Sequence, residues 1–242
     1  MDEFTASATT TTIQTPHWGL CYHPGCYPDA APTPASFSPQ SAELQAQPVA
    51  QGGRQAAWYI QLPRAQAGVL RHYRRGGMIA RFLHDQYFWC GAQRTRSWAE
   101  YEIMTYLYGQ GVAVPLPVAA LWQRQGMYYR AALITERIMG ARPLAQGLAT
   151  EWIQPVARAI KQMHDAGVDH ADLNVFNILL DAQDKVWLID FDRARQFTVL
   201  SFARRQRNLV RLQRSINKEF GPAGQRWYEQ LAQTYRQWML GA

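Results

Sequence analysis

His170-Ala171-Asp172-Leu173-Asn174-Val175-Phe176-Asn177 is followed, thirteen residues after Asn177, by Asp190-Phe191-Asp192. Short acidic motifs arise by chance, but the order here is specific: a helix, an H-x-D-x-x-x-x-N loop, a strand, a turn, a second strand, and an Asp closing an apolar run. Transfer of a phosphoryl group from ATP–Mg²⁺ to a hydroxyl needs these groups together. One carboxylate must receive or orient the hydroxyl proton, and Asp172 is the candidate. Two oxygen ligands must hold Mg²⁺ on the nucleotide phosphates, and Asn177 with Asp190 would do so. The spacing predicts all three at strand ends around one cleft. His170 is read as structural, and Asp181 and Asp184 as turn residues.

The elements that must position these groups are legible around them. Residues 152–166 predict a helix, with Trp152, Val156, Ala159, Ile160 and Met163 on one side and Gly167 at its end. Short apolar strands at 177–180 and 186–189 flank a turn at 181–185. Upstream, 57–60 and 69–73 read as strands joined by a turn at 63–68, and 118–122 and 128–136 as two more. Residues 97–108 predict a helix with Ser97 as N-cap, Glu100 completing a capping box, and Gly109 and Gly111 at the end. Residues 1–50 are rich in Thr, Ala, Ser and Pro, and predict a weakly structured extension. The expected plan is α+β and two-lobed: an N-terminal lobe over 51–138 and a mostly helical C-terminal lobe over 139–242.

Composition narrows the classes. The 242 residues are 48% apolar, which suits a packed core and excludes a fibrous or wholly disordered chain. No apolar run reaches the roughly eighteen residues of a membrane span. The chain opens Met-Asp-Glu with neither the basic start nor the apolar stretch of a secretory signal, so a cytosolic protein is expected. Three cysteines, Cys21, Cys26 and Cys90, do not make a disulfide framework. His17, Cys21, His23 and Cys26 crowd together, but in a Pro/Gly-broken segment lacking the elements a structural zinc site clamps. Residues 1–190 carry 15 basic and 15 acidic side chains, so the whole net charge of +7 sits in 191–242. A one-sided basic tail suits an anionic partner or a solvated face.

The loop motifs place the chain in resemblance to the protein-kinase-like superfamily. It resembles more closely the lipopolysaccharide core kinases of the 3-deoxy-D-manno-octulosonic acid (Kdo) kinase family. The closer likeness is carried by Leu70-Arg71-His72-Tyr73-Arg74-Arg75-Gly76-Gly77, Thr95-Arg96-Ser97-Trp98-Ala99-Glu100, Gly111-Val112-Ala113-Val114-Pro115, His170-Ala171-Asp172-Leu173-Asn174 and Asp190-Phe191-Asp192. These lie in order over about residues 52–220. The resemblance implies a small two-lobed kinase-like fold, ATP and Mg²⁺, and transfer to the 4-hydroxyl of Kdo on a lipid A precursor. It implies a peripheral place on the anionic cytoplasmic face of a bacterial inner membrane.

Departures from the protein-kinase pattern carry information. Such kinases hold the α/β-phosphates with a strand lysine, and this chain has lysine only at Lys161, Lys185 and Lys218. Arg71 occupies the equivalent strand position, with Glu100 as its implied partner and Glu102 as the lesser one. Gly52 and Gly53 are what remains of a phosphate-covering glycine loop. Ala171, Asn174 and Asp192 stand where protein kinases have Arg, Lys and Gly. These changes favour a small-molecule or glycolipid acceptor over protein. Residues 135–138 sit where a kinase linker offers main chain to adenine.

Arg204, Arg207, Arg211, Arg214 and Lys218 are spaced 3, 4, 3 and 4, which predicts one basic helix stripe beside an apolar one of Leu209, Leu212, Ile216 and Phe220. On the resemblance, that stripe meets phosphorylated substrate and anionic lipid, at about 1 kcal/mol per well-placed cation. Arg74, Arg75 and Arg81 add to it. The rival readings are the same chemistry on a core heptose, another small molecule or protein Ser/Thr, and a non-catalytic kinase-like binding module. Nucleic acid is not the expected partner, and no obligate protein partner is evident.

Overall fold

The computed structural model describes residues 10–49, 57–74 and 85–239. They fall into two compact units. One takes in the described residues up to Thr105 with Leu116–Arg137; the other is Tyr106–Pro115 with the described residues from Ile138 onward. The class is α+β.

The first unit is built on an antiparallel sheet. Its strands are β1 (Thr11–Gln14), β2 (Trp18–Tyr22), β3 (Gln47–Pro48), β4 (Ala57–Gln61), β5 (Ala67–His72), β6 (Tyr87–Phe88), β7 (Pro117–Gln125) and β8 (Tyr128–Glu136). The spatial order is β1-β2-β7-β8-β5-β4-β3, and β6 pairs with β8. β7 and β8 form a hairpin around Gly126, whose φ of 61° is the left-handed conformation such a tight turn favours. Residues 117–122 are buried without alternation, while Gln123, Arg124 and Gln125 run out exposed to the turn. The core joins Leu20, Leu70, Leu121 and Ile134, each at most 4% exposed. Helix α1 (Arg96–Gly109) contributes its residues through Thr105 to this unit.

Residues 10–49 are part of that core, which corrects the expected loose extension. β2 pairs with β7 in the register Leu20↔Leu121, and Phe37 and Leu44 are buried on the same cluster. The His72 Nε2 bonds the Phe37 carbonyl at 2.7 Å. The prolines forbid long elements, as expected, but Pro24 and Pro34 each start a short 3-10 turn. Composition registers the prolines; it does not register that Leu20, Tyr22, Phe37 and Leu44 have a sheet edge to bury against.

Ser97 is not the cap of α1. It is buried and its hydroxyl donates to the Leu121 carbonyl at 2.8 Å, across to the sheet. The helix begins at Arg96, and the Ala99 N–H bonds the Thr95 carbonyl at 3.0 Å. A Ser before an apolar run satisfies the cap pattern equally well when it faces a neighbouring strand.

The second unit holds β9 (Arg142–Pro143), α2 (Ile153–Asp165), β10 (Val168–Asp169), β11 (Ile178–Leu180), β12 (Val186–Leu188), β13 (Arg195–Gln196) and α3 (Phe202–Met239). β12-β11-β9 form one small antiparallel sheet and β10-β13 another. α2 buries Val156, Ile160 and Met163; α3 buries Leu209, Leu212, Ile216, Leu231 and Tyr235, while Phe220 is half-buried. α3 is kinked at Gly221-Pro222, where φ turns positive at Gly221. Past α2, Gly167 has φ +80° and lies directly against the Phe197 carbonyl, so a side chain there meets both strain and a clash. No described helix is long and apolar enough to cross a membrane.

The packing of β2 on β7 is testable. A Cβ at Gly19 would sit 2.6 Å from the Trp122 ring, so Gly19→Ala should cost about 1–3 kcal/mol in urea unfolding. Gly109→Ala, with open space at its Cβ, should leave the midpoint within about 0.5 kcal/mol of wild type.

Candidate active site

Arg71 lies on β5, between Ala57 of β4 and Leu133 of β8. Its guanidinium is bonded to the carboxylate of Glu100 on α1, and the Tyr73 hydroxyl donates to the same oxygen. Glu100 is 2% exposed. The Arg71 guanidinium also lies 4.8 Å from the centre of the Tyr73 ring. The Arg96 guanidinium lies 5.4 Å from the centre of the same ring and donates to the Tyr87 hydroxyl at 2.7 Å. A charge this buried is held only by full pairing. Glu102 is exposed and accepts from the Trp98 indole at 2.8 Å, so it takes no part. Gly52, Gly53, Arg75 and Arg81 lie outside the described residues. In the linker, the amides of Glu136 and Arg137 are already committed to the carbonyls of Leu116 and Ala67.

In the second unit, the loop from β10 to β11 carries Asp172 and Asn177. His170, fully buried, sits at its root. Its Nδ1 accepts from the Asp172 N–H at 3.1 Å and its Nε2 bonds the Ile189 carbonyl at 3.1 Å. Both contacts are made at once only by a neutral ring protonated on Nε2. Burial holds the His170 pKa below the ordinary histidine range, against the opposing pull of the Ile189 carbonyl and nearby carboxylates. One imidazole thus ties the segment bearing Asp172 to the one bearing Asp190.

Asn177 closes the loop, its amide nitrogen donating to the Asp172 carbonyl at 2.9 Å. Asn174 donates to that same carbonyl at 3.0 Å and accepts from the Phe176 N–H at 2.9 Å. The Ile189 N–H bonds the Asn177 carbonyl at 3.0 Å. With its nitrogen committed, Asn177 has its amide oxygen left for a cation. Asp190 has φ 63°, a left-handed conformation costly for a residue with a side chain. An amide oxygen and a carboxylate are the hard donors Mg²⁺ takes beside nucleotide phosphates, so the donor chemistry fits that ion. The Asp172 carboxylate is exposed, with Arg211 Nη1 3.5 Å from Oδ1.

Sequence reasoning missed Asn208. This buried α3 side chain accepts from the His170 N–H at 3.0 Å and donates to Asp169 Oδ1 at 2.7 Å. His164 Nε2 approaches its oxygen at 3.2 Å, while Nδ1 lies 2.7 Å from the Tyr235 hydroxyl. The available signal was a polar residue next to Leu209 in a buried phase of an amphipathic helix. The basic stripe turns toward this loop: Arg204 pairs with Asp169 at 2.9 Å and Arg207 at 3.8 Å. His17, Cys21, His23 and Cys26 do not converge. Cys26 Sγ lies 3.9 Å from His23 Nδ1. Burial pushes the Cys21 thiol far up and that of Cys26 up to about 11. Among the described residues, no group of three or more His, Cys, Asp or Glu is arranged to hold a metal.

The model of the lipopolysaccharide kinase (Kdo/WaaP) family matches residues 40–238, which contain Arg71, Glu100, Asp172, Asn177 and Asp190. The chain belongs to this family. The chain is 49% identical over 187 residues to a 3-deoxy-D-manno-octulosonic acid kinase of Stenotrophomonas maltophilia, covering 75% of this chain and 74% of that protein. Proteins of the same name from Xanthomonas campestris and Xylella fastidiosa are 48% and 45% identical, over 187 and 200 residues. The first match covers 75% of this chain and 74% of the relative, and the second 79% of each. As a member of this kinase family, the chain is a phosphotransferase acting on a hydroxyl group.

Two properties of the site can be checked on the folded protein. Glu100→Ala removes the buried carboxylate that Arg71 and Tyr73 both bond, and should cost about 3 kcal/mol in chemical denaturation. Burial also pushes His164 down from 6.5 to about 4. The unfolded chain therefore takes up a proton that the folded chain refuses as pH falls from 6.5 toward 4. Stability is complete above this window and declines through it, by up to about 3 kcal/mol from His164. His170 acts in the same direction. Urea midpoints measured between pH 7 and 4.5 should fall for wild type, and fall less steeply for His164→Gln.

Proposed function

We propose that this chain transfers the γ-phosphoryl of ATP, with Mg²⁺, to the 4-hydroxyl of Kdo on a Kdo-bearing lipid A precursor, in lipopolysaccharide core biosynthesis. The observation that carries the reading is the near-half identity to Kdo kinases over three quarters of both chains. The loop geometry supports the chemistry. Asp172 orients the acceptor hydroxyl or takes its proton. It can do so because its backbone is fixed on both sides, by His170 at the N–H and by Asn177 and Asn174 at the carbonyl. Asn177, through its amide oxygen, and Asp190 would hold Mg²⁺, which when bound screens the phosphate charge and steadies the departing nucleotide. Arg71 would hold phosphate with a guanidinium that cannot deprotonate, and Glu100 with Tyr73 keeps it in one orientation. Gly52 and Gly53, as what the sequence keeps of a glycine loop, would offer backbone amides to phosphate.

The acceptor is an anionic glycolipid, so the enzyme works at the cytoplasmic face of the inner membrane as a peripheral protein. The charge supports this: all of the +7 lies in residues 191–242, on and around α3. Exposed Arg214 and Lys218, four residues apart, are spaced to face one anionic surface.

The test is phosphate transfer from radiolabelled ATP to Kdo-bearing lipid A precursor. Asp172→Ala should lower kcat by about 10²–10⁴-fold while nucleotide binding is retained, and Asp190→Ala should abolish Mg²⁺-dependent transfer. Label on the lipid that persists at wild-type rate in Asp172→Ala overturns the assignment of Asp172. ATP turnover with no label on the lipid overturns the acceptor.

A further inference from the structure

α3 runs beside the catalytic loop, and its side chains meet that loop one after another. Arg204 and Arg207 reach Asp169, Arg211 reaches Asp172, and the Ser215 hydroxyl lies 3.3 Å from the Val175 N–H. These contacts are not equivalent. Asp169 is only 14% exposed and is also bonded by Asn208, so Arg204 and Arg207 neutralise a largely buried structural carboxylate. Arg211 and Asp172 are 55% and 59% exposed, and a single guanidinium nitrogen approaches Asp172 at 3.5 Å. An exposed pair of this kind adds little to stability.

Its position is what matters. An acceptor whose hydroxyl sits on Asp172 brings the rest of its sugar ring within a few ångströms of Arg211. If that sugar is an acid, its carboxylate approaches the carboxylate of Asp172 and the phosphoryl group being transferred, and like charges oppose binding. A guanidinium with one edge on Asp172 has further N–H donors for a second carboxylate, in the planar fork that matches it. We infer that Arg211 binds the carboxylate of the acceptor sugar, making it the residue that selects a sugar acid over a neutral sugar. This rests on the Kdo reading above, and it concerns substrate recognition and not the transfer step.

The experiment compares wild type, Arg211→Ala and Arg211→Lys at saturating ATP on three acceptors. These are Kdo-bearing lipid A precursor, the same lipid with the Kdo carboxylate converted to its carboxamide, and the same lipid with its phosphates removed. On the native acceptor, Arg211→Ala should raise KM about tenfold to a hundredfold with kcat nearly unchanged, and Arg211→Lys should recover part of the loss. On the carboxamide, wild type should already show the raised KM, and Arg211→Ala should add nothing to it. On the phosphate-free acceptor, the Arg211 dependence should persist. An equal penalty on the native and carboxamide acceptors overturns the inference, as does a dependence that vanishes with the lipid phosphates. A kcat loss shared by all acceptors would make Arg211 a positioning residue for Asp172 and overturns it too. If wild type turns over ATP but labels none of the three lipids, the Kdo reading itself falls, a result distinct from the others.

Discussion

The chemistry-bearing part of the second unit depends on keeping one buried imidazole neutral. His170 can accept from the Asp172 amide and donate to the Ile189 carbonyl only while it carries a single proton. Burial supplies that condition by disfavouring the charged ring. Asn208 then anchors the His170 backbone to α3, and His164 and Asp169 complete the hydrogen bonding of Asn208. Each polar group in this chain of contacts has a partner, and a buried polar network holds a loop in one geometry only under that condition. The exposed Asp172 owes its placement to side chains that are themselves largely buried.

The first unit applies the same rule to charge. Glu100 is buried because Arg71 and Tyr73 both bond its carboxylate. Arginine suits this arrangement, since its planar fork can engage Glu100 while its face rests on Tyr73. The basic residues of α3 show the opposite regime. Where a carboxylate is largely buried, as at Asp169, they are structural; where both partners are exposed, as at Asp172, their charge remains available to a ligand.

Local patterns were read well where the pattern itself dictates the structure. The strands on either side of Gly126, the helix before Gly167 and the strand pair flanking residues 181–185 follow from apolar runs, amphipathic spacing and the turn at 181–185. Ser97 and residues 10–49 were misread for one shared reason. A capping serine and a strand-facing serine have the same local sequence, and a Pro-rich segment with four well-placed apolar residues resembles a loose leader until a sheet edge is present to receive them.

The sequence by itself determined the reaction class and the family. A carboxylate, an amide and a second carboxylate at set spacings are a covalent fact about the chain, and few chemistries use that order. It also determined which helix face is basic, because the 3.6-residue period needs no partner to be read. Only the tertiary structure decided which of those charges are spent. The pairing of Arg71 with Glu100 across 29 residues is already implied by the family resemblance, but nothing in the sequence brings Arg211 to Asp172, 39 residues apart. Asn208 reaches His170 across 38 residues. Contacts at such separations depend on how sheet and helices pack, which no local propensity encodes.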